Sequence, residues 1–199
     1  FLERAASRIS QRIAKFERRS ALGHREAQRY AALWAGLGEA QGIAAAAAGA
    51  ERLLTGQRPG FDDRDAYAAA VATVERAFAV ASAAWTPLAM NLRQYRTPLA
   101  MLDAASIDRD AEAARNPFRD LYAALADRIA DWGADVVGIS VAFPGQLLPG
   151  QILARALRAR MPDALLLSGG PAVAQFFHGM PVDARAEALG PLDAVVLGD

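Results

Sequence analysis

Cysteine is absent from the 199 residues. Within this chain that excludes a disulfide framework, a thiolate zinc site, a cysteine nucleophile and a cysteine-held iron–sulfur cluster. Histidine is scarce, with His24 and His178 alone. An excess of one charge is lacking as well. The 22 basic and 22 acidic side chains balance, which argues against a general electrostatic grip on nucleic acid or anionic lipid. No apolar run approaches the roughly 20 residues that cross a bilayer, and the charged, amphipathic start does not read as a secretory signal. A soluble, cytoplasmic protein is the expectation, with neither nucleic acid nor membrane as partner. No dinucleotide fingerprint and no P-loop follows any apolar run.

What is present is apolar: just over half the residues, 53%, are hydrophobic, enough for a packed core and too many for a disordered chain. Phe1 is not an initiator methionine, and the chain stops at Asp199 straight after the apolar run 194–197. A piece of a longer protein is therefore expected.

The first 130 or so residues read as helices. Leu2, Ala6, Ile9, Ile13 and Phe16 recur at three- and four-residue spacing, opposite a charged face. Ala27, Tyr30, Trp34 and Leu37 form a second stripe, and an alanine-rich helix is predicted over 39–54. After the glycine and proline turn at 55–60, Asp62 is placed to cap a helix whose apolar face is Tyr67, Val71, Val74, Phe78, Ala81 and Trp85. Residues 86–115 show no steady period and read as a long connection with room for a short helix. Asn116-Pro117 opens a further helix, with Phe118, Leu121, Tyr122, Leu125, Ile129 and Trp132 predicted inward. Trp34, Trp85 and Trp132 all fall on apolar stripes and are expected in the core.

After Gly133 the pattern changes. Residues 134–140, 164–168 and 193–197 are short, nearly uninterrupted apolar runs, which suit parallel strands covered on both faces. Asp135, Asp163 and Asp193 stand at their entrances, 28 and 30 residues apart, the length of one strand–helix unit with its return. Between the first two runs Ile152, Leu153, Ala156 and Leu157 face inward and Arg155, Arg158 and Arg160 outward, a solvated face. The fold class is thus α/β, a Rossmann-like parallel sheet over residues 116–199 preceded by a mainly α-helical segment over 1–115.

In an open parallel sheet, ligands bind beyond the carboxyl ends of the strands. That selects Ser140, Val141, Ala142, Phe143, Gly145 and Gln146 after the first run, Ser168, Gly169, Gly170 and Pro171 after the second, and Gly198 and Asp199 after the third. Of these Gln146 is the polar side chain most expected to touch a ligand. Taken alone, Gly169-Gly170 is equally a tight turn between strand and helix. His24 reads as a surface or capping residue, and His178 as a helix-end histidine. Asp62, Asp63 and Asp65 precede a helix and read as capping rather than metal-binding.

The whole string carries more than its parts. DVVGISVAFPGQ at 135–146, LLLSGGP at 165–171 and AVVLGD at 194–199 together resemble the amino-terminal cobalamin-binding module of cobalamin-dependent radical SAM enzymes. The resemblance covers residues 116–199. Residues 1–85 are similar, less specifically, to the insertion in branches that modify peptides and natural products. It implies that Ser140 and the turn through Gln146 pack against the corrin. It further implies that Ser168, Gly169, Gly170 and Pro171 meet the dimethylbenzimidazole tail between sheet and helix, with Gly198 and Asp199 bordering the same cleft.

Two departures stand out. The Asp-x-His-x-x-Gly element that supplies an axial histidine in other cobalamin enzymes is missing, as in many radical SAM members, so no metal-ligating residue is assigned. The three-cysteine cluster motif is missing too, so no catalytic residue is assigned either. A 4Fe-4S cluster, S-adenosylmethionine and the radical chemistry would belong to a radical SAM domain downstream. The implied activity is methyl transfer to a peptide or small-molecule substrate, with rearrangement in some members. A non-catalytic cobalamin-binding or sensing module and a nucleotide-sugar-binding α/β transferase are the alternatives.

Overall fold

A computed structural model describes residues 1–97, 104–112 and 115–198. The chain divides into two compact units, Phe1–Tyr95 and Arg96–Asp199. Residues 96–115, which the sequence reading grouped with the helical segment, thus go with the second unit.

The first unit is built from helices α1 (Leu2–Glu17), α2 (His24–Ala40), α3 (Ile43–Leu54) and α4 (Arg64–Ala84), followed by the short hairpin β1 (Ala89–Asn91) and β2 (Gln94–Arg96). Helix α1 buries Ile9 and Ile13 as its spacing predicts, together with Ala5. Helix α2 differs: it buries Leu33 and Gly36 and leaves Ala27 and Trp34 exposed. A Cβ on Gly36 would lie 2.6 Å from the Ala83 Cβ, so α2 meets α4 at a glycine. That close approach turns Tyr30 and Trp34 away from the contact. Asp63, one residue beyond the predicted Asp62, caps α4 by accepting from the Asp65 and Ala66 amides at 2.9 and 3.1 Å. Trp85 is buried as expected, stacked on Phe1 with ring centroids 5.5 Å apart. Ser82 ties the hairpin to α4, donating to the Met90 carbonyl and accepting from its amide.

The second unit is α/β. Its elements are α5 (Ala104–Ala111), α6 (Arg119–Ala130), β3 (Val136–Ser140), a 3-10 turn (Pro144–Gln146), α7 (Leu147–Arg160), β4 (Leu165–Gly169), α8 (Pro171–His178), α9 (Val182–Leu189) and β5 (Ala194–Val196). The three later strands form one parallel sheet in the order β3-β4-β5. The apolar runs and the repeated unit length are borne out.

Coverage of both sheet faces is not. Val137, Ile139, Leu166 and Val195 face a core with Ala126 and Ile129 of α6, Leu153, Ala154 and Leu157 of α7, and Leu189 of α9. On the other face Val136, Leu165 and Val196 remain 54%, 44% and 59% exposed. Parallel crossovers are right-handed, so two successive steps in the same direction across a sheet put both connections on one side. The uninterrupted apolar runs therefore have one buried face and one open apolar face.

Helix α6 shows the same economy. Asn116 caps its approach, its Oδ1 accepting from the Phe118 amide at 2.8 Å, but the helix begins at Arg119. Ala126 is its buried residue, whereas Leu121 and Trp132 of the predicted stripe lie in solvent, Trp132 at 73%. The three arginines of α7 are not merely solvated. Arg155 pairs with Asp108 of α5 and Arg160 with Asp127 of α6. Arg158 reaches Asp193 at the entrance of β5 at 2.5 Å and donates to the Pro162, Ala164 and Pro191 carbonyls.

Candidate functional site

The strand exits lie side by side. Ser140 is in register with Gly169, and Gly169 with Val196. Because residues in register on parallel strands share a face, Ser140, Gly169 and Val196 form the last row of the open face, above the row Gly138, Leu167 and Ala194. Gly198 follows β5, exposed. Asp199 lies outside the described residues.

Two candidate residues are enclosed. Val141 is 2% exposed, with its amide donating to the Gly169 carbonyl at 2.8 Å. Ser168 is 6% exposed, and its hydroxyl donates to the Ile139 carbonyl at 3.1 Å. Both point into the helix-covered side and bind β3 to β4. That side is filled: Val141, Leu147, Val173, Phe176 and Phe177 close around a void of about 10 Å³, room for one water at most. A tetrapyrrole or its base cannot enter there.

The exposed candidates make a continuous ledge. Ala142, Phe143 and Gln146 are exposed and Gly145 is half-buried. Gln146 Oε1 accepts from the amides of Ala142 and Phe143 at 2.9 and 3.1 Å, so its carbonyl end holds the loop, leaving the Nε2 amide to donate outward. Phe143 projects from this loop at 69% exposure. Across from it Gly170 adopts φ +109°, and a Cβ there would lie 2.6 Å from the Val141 carbonyl oxygen. Only glycine fits this crossing. Pro171, exposed, starts α8.

Few amides remain for an anion. Pro171 has no N–H, and the Ala172 amide donates to the Val141 carbonyl at 3.3 Å. The Ala142 and Phe143 amides are also occupied, which leaves fewer donors for a phosphate at these turns. His178 ends α8 in solvent, about 10 Å along the helix from its start at 1.5 Å per residue. His24 lies beside Gln28 on α2. Among the described residues no group of three or more His, Cys, Asp or Glu could hold a metal ion, and no helix is long and apolar enough to cross a membrane.

Sequence reasoning missed Asp193. The sequence places it only at the entrance of a strand, yet its Oδ2 accepts from the Leu166 amide at 2.7 Å and from Arg158. Those two contacts, the amide first, hold its carboxyl below the usual aspartate range. The spacing of entrance aspartates was the visible signal; which arginine answered them was not.

Comparison with protein-family models, with curated proteins and with solved structures gives no match.

Proposed function

We propose that the second unit is the cobalamin-binding portion of a B12-dependent radical SAM enzyme, a methyltransferase acting on a peptide or natural product. The observation that carries this reading is the level row of strand exits, Ser140, Gly169 and Val196, opening onto a flat face of small and apolar side chains. A corrin is wide and flat and carries amide arms, so it needs an apolar ledge with few polar groups placed at its rim. Ser140, the Gln146 amide and Pro171, exposed after the half-buried Gly170, supply such a rim. The open side is favoured because the helix-covered side is filled by the aromatic pair Phe176 and Phe177. The base-bearing tail would accordingly lie over Gly138, Leu167 and Gly169 rather than against Ser168 and α8.

When bound, cobalamin supplies a transferable methyl group. Phe143 and the β3–β5 side chains would seat the corrin and shield it from water, and His178, in solvent at the far end of α8, would take no part in this ledge. A chain without cysteine cannot anchor a 4Fe-4S cluster through thiolates. The cluster and S-adenosylmethionine would sit in a radical SAM domain downstream. A nucleotide-sugar transferase is less well supported, because the Ala142, Phe143 and Ala172 amides at these turns are already bonded.

The test is to mix the protein with hydroxocobalamin, desalt it, and record the visible spectrum. Retained corrin absorption at one equivalent per chain is expected. A desalted protein without corrin bands overturns the reading.

A further inference from the structure

The first unit carries a cleft of about 450 Å³ between α1 and α2, unrelated to the strand exits of the second. Its wall is strongly basic: Arg8, Arg12, Lys15, Arg19 and Arg29 line it, with Glu26 the single acid. That acid is committed. Glu26 accepts from the Gly23 amide at 3.1 Å and pairs with Arg19.

Two of the five cations have a structural purpose. Arg8 Nε and Arg12 donate to the Ala84 carbonyl at 2.8 and 3.0 Å, where the carboxyl end of α4 leaves carbonyls without helical partners. Lys15 and Arg29 serve no such purpose. Both are exposed, and neither has a hydrogen-bond or ion-pair partner among the described residues. Burial, then Arg8, then Arg29 lower the pKa of Arg12 from the ordinary guanidinium value. The cleft thus sets five cations against the one carboxylate of Glu26, in a chain whose net charge is zero.

An aromatic row starts at the cleft. Phe16 lines the cleft, Tyr30 lies edge-on to it at 6.0 Å, and Trp34 edge-on to Tyr30 at 6.4 Å. Trp34 is the exposed end of this row, turned outward by the meeting of α2 and α4 at Gly36.

We infer that this cleft binds an acidic peptide segment, with carboxylates on Lys15, Arg12 and Arg29 and an adjacent apolar side chain on the Phe16–Tyr30–Trp34 row. A nucleic acid fits less well. It needs a run of phosphate contacts, and the basic surface here is one cleft wide with Glu17 and Glu26 at its margin. The inference rests on the first unit alone and stands whether or not the second binds cobalamin.

The experiment is fluorescence anisotropy of the whole chain with a fluorescein-labelled peptide of alternating glutamate and leucine. Its glutamine counterpart, the same length with no charge, and an oligodeoxythymidine are the comparisons. Saturable binding to the glutamate peptide is expected, weakened by about tenfold or more when Lys15→Glu and Arg29→Glu are combined, and by less than about threefold for Lys15→Arg with Arg29→Lys. These two positions are exposed and make no hydrogen bond or ion pair among the described residues, and circular dichroism verifies that the variants stay folded. Added salt should weaken the complex. The inference is overturned if the glutamate peptide does not bind, if the glutamine peptide binds equally, if charge reversal leaves affinity unchanged, or if oligodeoxythymidine binds more tightly.

Discussion

At Gly170 one missing methyl group decides whether two strand exits can cross. The residue holds φ +109°, and its Cα passes so near the Val141 backbone that an added Cβ would meet the carbonyl oxygen, carbon and nitrogen within 3.2 Å. Backbone cannot step aside as a flexible side chain can. Gly170→Ala should therefore cost roughly 2–4 kcal/mol from strain and displacement together, read as a lowered urea midpoint. Gly138→Ala, where a Cβ meets nothing within 4 Å, should stay near the parent stability. The glycine pair was legible in the sequence, but its purpose was not, since a ligand approach and a backbone crossing both demand glycine. Gln146 is similar. Its place after the strand was readable, whereas the bond from its carbonyl to its own loop depends on a backbone path that no spacing shows. Ser168 shares the covered row of Ile139 and Val195, a facing that LLLSGG, without polar alternation, does not reveal.

Elements in the second unit are fastened by charge as much as by packing. Arg158 on α7, the entrance of β5 and the second residue of β4 meet at the Asp193 carboxylate. Its pKa is depressed in the folded chain, so the carboxylate's contribution is complete above its unfolded value of about 4. The contribution fades as the pH falls through the lower folded value. Asp193→Asn should lower the urea midpoint at neutral pH, and parent and variant should converge in acid. Equal midpoints for the two proteins at neutral pH would remove this clamp from the account. The strands themselves were legible from their apolar runs and their regular entrances. Their coverage was not, because an uninterrupted run suits a strand buried on both faces and equally one with a bare face. The stripes of α2 and α6 hold only in part, for a different reason. Each predicted stripe follows the large residues, while the close helix contacts include small ones, Gly36 beside Leu33 on α2 and Ala126 beside Ile129 on α6. Small residues let backbones come close, and the bulky neighbours then turn to solvent.

Considered whole, the chain joins a helical unit with a cationic cleft to an α/β unit with an open sheet face. Composition alone excluded thiolate chemistry, and the two-part character was visible where periodicity changes after Gly133. The boundary at Tyr95–Arg96 was not, since residues 86–115 carry no period and α5 is tied to α7 through Asp108 and Arg155. An apolar sheet face with Val136, Leu165 and Val196 in water is what a partner, a ligand or further helices would cover. The cobalamin reading assigns its upper edge to the corrin. Amide hydrogen exchange of the intact protein, with and without hydroxocobalamin, tests that assignment most directly. Exchange should slow at residues 142–146, at 169–170 and along β5, with the α1–α2 cleft unchanged. Unaltered exchange at these strand exits in the presence of saturating hydroxocobalamin would contradict it.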